Sequence, residues 1–125
     1  METFHFEEGE IFLIDKPLDW TSFDVVNLIR ALIKRCHKIK KLKVGHAGTL
    51  DPLATGLLIV CTGKMTKQID NFQAREKTYT GTLLLGQTTP TFDLESQPDK
   101  FFPTNDISPE QIETARKKFV GDILQ

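Results

Sequence analysis

The sequence predicts an α+β domain, and three observations carry that prediction. Apolar runs at residues 10–14 and 57–61 and an alternating run at 77–85 have the length and pattern of strands. Two segments that open on Ser/Thr caps near Thr21 and Ser108 repeat apolar residues at three- and four-residue spacing, as helices do. The 125 residues, 39% of them hydrophobic, suffice for one core and are too few for two ordinary enzyme domains.

Taken in order, Glu10-Ile11-Phe12-Leu13-Ile14 reads as a strand closed by a turn at Asp15, Lys16 and Pro17. A helix follows, with Thr21 and Ser22 as cap candidates and Asp24 at the third position of a capping box. Its Val25, Val26, Ile29, Leu32, Ile33 and Cys36 face the core, and its C-terminal end places Lys34, Arg35 and Lys38 where the helix dipole favours cations. Residues 44–56 hold Gly45, Gly48, Gly56 and Pro52 among small residues and form a shaped loop rather than a long regular element. Residues 57–61 are expected as a fully buried strand, and 64–72, with Met65, Ile69 and Phe72 on one side, as a short helix.

In 77–85, Thr78, Thr80 and Thr82 alternate with Tyr79, Gly81, Leu83 and Leu85, so a half-buried strand would put Tyr79 on the leucine face. Residues 86–106 contain three prolines and no obvious element; a loop of that length is usually functional or mobile. Ser108, Pro109 and Gln111 then open a helix whose Ile112, Ala115 and Phe119 face inward and which Gly121 stops. Residues 122–125 resemble the start of a further strand, so the chain is expected to be a fragment.

The longest unbroken apolar run is 57–61, far short of the roughly 20 residues that span hydrocarbon. The first eight residues carry acid where a signal peptide needs base, so the expected compartment is the cytoplasm. Cys36 and Cys61 are expected there as reduced, buried thiols. The net charge of −1 conceals a split, because no acidic residue lies between Asp24 and Asp51. Seven of the sixteen basic residues, Arg30, Lys34, Arg35, Lys38, Lys40, Lys41 and Lys43, fall in that gap. Such a stripe suits a phosphate backbone, although a solvated lysine-rich loop would look the same.

The candidates for chemistry separate on spacing. Six residues between Gly56 and Gly63, with Met65 after Lys64, exclude a phosphate-cradling P-loop. Cys36, His37, His46 and Cys61 do not match structural zinc spacing, and Ser22 reads as a helix cap rather than a nucleophile. Asp51 stands before Pro52 in the Gly-rich loop, just ahead of a buried strand. It either initiates an Asp-Pro turn or is an ionised carboxylate presented as nucleophile or general base. His46 is either a solvated loop residue or a ring that stacks on a base, and Tyr79 either core or a stacking platform.

Gly45-His46-Ala47-Gly48-Thr49-Leu50-Asp51-Pro52-Leu53-Ala54-Thr55-Gly56 closely resembles the catalytic-loop signature of the bacterial tRNA pseudouridine-55 synthase family, TruB. Leu13 to Pro17 with Thr21-Ser22, Gly63 to Lys67, Lys77-Thr78-Tyr79, Leu85 to Thr89 and Phe119 to Ile123 support it in order. The resemblance implies an isomerase of the pseudouridine synthase fold, a mixed, largely antiparallel sheet with flanking helices, acting on a T-loop uridine without cofactor or metal. It implies that Asp51 is the catalytic aspartate, that Tyr79 stacks on the flipped uracil and that His46 packs within the distorted RNA loop. Asp93 matches an acidic residue of the active-site network, although Pro90 replaces an aspartate common in relatives.

The family's catalytic domain continues beyond Gln125, so residues 1–125 are expected as its N-terminal portion, without the arginine partner of the aspartate. The expected partner is the tRNA T-arm, bound by a monomer with no membrane and no protein partner. Lys16 and the 34–43 cluster, including Lys38, Lys40, Lys41 and Lys43, are the candidate phosphate contacts. The rival expectation is a binding module that grips structured RNA through the 30–43 segment without chemistry.

Overall fold

The computed structural model describes residues 4–124. The chain divides into two compact units, Met1–Tyr79 and Thr80–Gln125. The first contains β1 (Ile11–Lys16), α1 (Ser22–His37), β2 (Val44–His46), β3 (Gly56–Thr62), a 3-10 turn (Gly63–Gln68) and α2 (Ile69–Gln73). The second contains a two-stranded ribbon, β4 (Gln87–Thr88) and β5 (Lys100–Phe101), and α3 (Pro109–Lys117). The class is α+β as expected, and every strand pair is antiparallel.

In the first unit β3 is central, in the order β1-β3-β2. The register sets Phe12 opposite Val60, Ile14 opposite Leu58 and Lys16 opposite Gly56. Side chains alternate along a strand, so these positions share one face. α1 packs there through Val25 and Val26, and with Val44, Leu58 and Val60 they form the core, flanked by Phe12, Ile14, Ile29, Leu42 and Leu50. Each fully buried aliphatic side chain in it contributes about 1.5–3 kcal/mol. β3 is not buried on both faces as its apolar run suggested: Leu57 is exposed, because a helix covers one side of an antiparallel sheet and leaves the other open at this end.

α1 begins as its capping box dictates. Thr21 Oγ1 accepts from the Asp24 amide at 3.0 Å, and the Asp24 carboxylate accepts from the Thr21 amide at 2.9 Å. Hydrogen bonds from Thr21 hold the Asp24 carboxyl below its usual range. The helix ends where Lys38 turns left-handed, φ 55°. Cys61 is buried and its thiol is pushed up by desolvation, whereas Cys36, expected inside, is exposed on the last turn of α1.

The structure departs further from the sequence expectations between residues 77 and 124. Residues 77–84 form no strand; with no neighbouring strand among the described residues to take up their backbone groups, alternation alone does not make one. Residues 86–106 are not without elements, since Phe102 donates to the Gly86 carbonyl at 2.8 Å and continues the β4–β5 ribbon. α3 has its full Ser108–Gln111 capping box, but Ile112, Ala115 and Phe119 are exposed rather than inward. The helix ends at Lys117, before Gly121, and 121–124 form no strand; Gln125 lies outside the described residues.

Candidate active site

The loop that carries Asp51 joins β2 to β3. It leaves the sheet at His46, opposite Val60, and returns at Gly56, opposite Lys16. At its entry the Ala47 amide donates to the Ile59 carbonyl at 2.8 Å. His46 Nδ1 lies 2.7 Å from the Gly48 carbonyl. A carbonyl can only accept, so Nδ1 carries the proton and Nε2 is left free to accept from a ligand when the ring is neutral. Gly48 makes that turn at φ 111°, a conformation L side chains rarely adopt. At the tip the Ala54 amide donates to the Asp51 carbonyl at 3.0 Å, closing the Asp-Pro turn.

The residues on either side of Asp51 are anchored to the first turn of α1 and the end of β1. Ser22, 2% exposed, donates through Oγ to the Leu50 carbonyl at 3.1 Å and accepts from the Leu50 amide at 2.9 Å. The Pro52 carbonyl accepts from the Asp19 amide at 2.9 Å, which the left-handed backbone of Asp19, φ 64°, presents to it. The Lys16 ammonium donates to the carbonyls of Trp20 (2.5 Å), Pro17 (2.8 Å) and Pro52 (3.4 Å).

Lys16 thus departs from its expected role as a phosphate contact. It is 0% exposed, on the core-facing side of β1, and three carbonyls take its three hydrogens. An ammonium so placed ties the 17–20 turn to the Asp51 loop and presents no surface to a polyanion. The sequence shows only a lysine before a proline, which says nothing about which way the strand points it.

Asp51 itself is exposed. Tyr79 ends the first unit on an irregular segment, 72% exposed rather than on a buried leucine face. The Lys77 side chain reaches toward the loop: a Cβ on Gly48 would lie 4.0 Å from Lys77 Cε. In the second unit, Asp93 Oδ1 accepts from Thr91 Oγ1 at 2.6 Å and from the Glu95 amide at 2.9 Å. The Thr91 hydroxyl and then the Glu95 amide hold its carboxyl below the usual range.

The basic stripe resolves into two parts. Lys41 and Lys43 line a hollow of about 270 Å³ together with Glu7, Gly63, Lys64 and Lys67, whereas Lys38 and Lys40 stand exposed outside it. Lys64 and Lys67 are additions that charge counting along the chain overlooked, because they lie about twenty residues beyond the stripe. β2 and β3 bring the two segments together: Gly63 donates to the Lys43 carbonyl at 2.9 Å. Lys64 pairs with Glu8 at 2.7 Å, which holds the Glu8 carboxyl down; both side chains are largely exposed, so this pair is readily screened.

Residues 34–125 match the family model described as "TruB family pseudouridylate synthase (N terminal domain)". The chain belongs to the TruB family. The match covers the Asp51 loop, Tyr79 and Asp93, and full-length relatives extend the likeness over β1 and the start of α1. The chain is 58% identical over 120 residues to tRNA pseudouridine synthase B of Parabacteroides distasonis, covering 96% of this chain and 51% of the relative. It is 57% identical over 121 residues to the protein of that name from Phocaeicola vulgatus (97% and 52%) and 53% over 119 residues to that of Flavobacterium johnsoniae (94% and 52%). This TruB-family chain therefore spans about half the length of the curated relatives it matches.

Proposed function

We propose that residues 1–125 are the N-terminal portion of a single catalytic domain of the pseudouridine synthase fold, and that the protein isomerises a T-loop uridine of tRNA to pseudouridine. The observation that carries this reading is the Asp51 loop: a family signature whose carboxylate is exposed while its neighbours are fixed to the core. Substrate and product are isomers, so the net reaction requires no external oxidant or reductant. The N1 to C1′ bond breaks, the uracil turns while bound, C5 joins C1′, the C5 proton leaves and N1 gains one. Asp51 serves either by adding covalently to the sugar or base or by removing a ribose proton. The uridine leaves the stack first, with Tyr79 as the surface on which the flipped base rests and His46 packed inside the opened loop. Asp93 is the residue that the family resemblance assigns to the active-site network. Lys41 and Lys43, joined by Lys64 and Lys67, contact the backbone, with Lys38 and Lys40 as outlying contacts.

A T-arm hairpin incubated with the full-length protein, digested to nucleosides and separated by chromatography, tests this directly. Pseudouridine at the T-loop position is the expected product. Its absence while the hairpin is bound would leave the second reading, an RNA-binding module, which the basic hollow favours. The hollow has its own test: replacing Lys41, Lys43 and Lys67 with Gln lowers the salt slope of binding by about one unit for each phosphate no longer neutralised. An unchanged slope removes the hollow from the interface.

A further inference from the structure

The geometry points to Ser22 as a positioning residue for Asp51. This rests on the reading of Asp51 as the catalytic carboxylate and adds how the fold aims it. A serine at the head of a helix ordinarily caps it, but here Thr21 caps α1, accepting from the Asp24 amide. The Ser22 hydroxyl is therefore released from that duty, and it is used across 28 residues of sequence on the backbone of Leu50. It makes both bonds that one peptide residue can offer: it receives the Leu50 N–H and gives its own proton to the Leu50 C=O. Two bonds to one residue fix its rotation as well as its place. The Leu50 side chain is held independently, half-buried and packed against the core cluster.

The residue before the carboxylate is thus fixed by backbone and side chain together, and Asp51 inherits that frame while its own side chain reaches solvent. Asp51 is one peptide away from a rigid point and free where it must react. A loss of aim of about 1 Å at a reacting group can cost on the order of a hundredfold in rate, so a hydroxyl that touches no substrate can matter to turnover. Because Ser22 works on geometry and Thr21 on helix stability, the adjacent residues separate the two effects.

The test compares Ser22→Ala, Thr21→Ala and Asp51→Asn in the full-length protein, using release of tritium from uracil C5 of a T-arm hairpin and amide hydrogen exchange at Leu50. Ser22→Ala is expected to lower kcat roughly tenfold to a hundredfold with KM within about twofold, and to speed Leu50 exchange roughly tenfold or more. Thr21→Ala, which weakens the helix without touching the loop, keeps kcat within about twofold. Ser22→Cys, close to serine in size and weaker in both bonds, gives an intermediate kcat and secures the test should the alanine variant fold poorly. The inference is overturned if Ser22→Ala and Ser22→Cys turn over at the wild-type rate, or if Thr21→Ala lowers kcat as much as they do. Full activity in Asp51→Asn would instead overturn the reading beneath it, and the two failures are distinguishable because each variant is scored separately.

Discussion

α1 and α3 begin in the same way and end up in different surroundings. Each opens on a complete capping box, Thr21 with Asp24 and Ser108 with Gln111, and each carries cations in its last turn. α1 buries Ser22, Val25, Val26 and Ile33, its two valines sharing a core with the three-stranded sheet, whereas α3 buries none of its residues. Local signals therefore determine that a helix forms and where it starts, while burial depends on a partner surface. The first unit supplies that surface through β3, and in it the Asp51 loop becomes a rigid feature. In the second unit Leu83, Leu94 and Phe119 stay exposed.

Substitutions in the two units should divide sharply along that line. Leu58→Ala empties a core position and should cost about 2–5 kcal/mol of unfolding free energy. Leu83→Ala, at a residue 89% exposed, should change it by less than about 0.5 kcal/mol. Urea denaturation measures both, and equal effects would mean that Leu83 is held in the folded protein as firmly as Leu58. Lys16→Met keeps the apolar stem but takes the ammonium from the Pro17 and Trp20 carbonyls and leaves the Pro52 carbonyl with the Asp19 amide alone, so a loss of about 1–3 kcal/mol is expected in the same titration. A neutral outcome would mean that the tie from β1 to the Asp51 loop contributes nothing to stability.

Smaller effects sharpen the contrast between the helices. Thr21→Ala should remove about 1 kcal/mol from cooperative unfolding of the first unit, because α1 is part of its core. Ser108→Ala should show only as local fraying of α3, seen as faster amide exchange in its first turn. The smallest effect follows from the depressed pKa of Asp24. A carboxylate whose folded pKa lies below its unfolded value stabilises the fold above the unfolded value, 3.8, and that contribution is lost as pH falls through the lower, folded pKa. Asp24→Asn should therefore flatten the acid limb of the stability profile, and an unchanged limb would show that the cap carries no linked proton.

The elements legible in the sequence were those with local causes. The cap of α1, the strand at β1 and the glycine-punctuated loop around Asp51 all follow from residue type and spacing. Lys77 to Leu85 has the alternation of a strand and forms none, since strand formation depends on a neighbour that the residues themselves do not specify. Of the candidate site, exposed Asp51 and half-buried His46 were legible as candidates, because the signature marks them. Its supports were not: Lys16 looked like a surface cation and Ser22 like a spare cap. Both act over sequence separations of about thirty residues, on backbone groups that carry no side-chain signature. The lysine hollow was half legible, because charge counting sees neighbours in sequence and the sheet brings Lys64 and Lys67 beside Lys41 and Lys43.

In the proposed function the loop between β2 and β3 presents the Asp51 carboxylate to a uridine. Release of tritium from uracil C5 of a T-arm hairpin tests it most directly, measured for the full-length protein and for Asp51→Asn at equal occupancy of the RNA. Stoichiometric release by the former and none above background by the latter is expected, with hairpin affinity retained. Release at the wild-type rate by Asp51→Asn would contradict it.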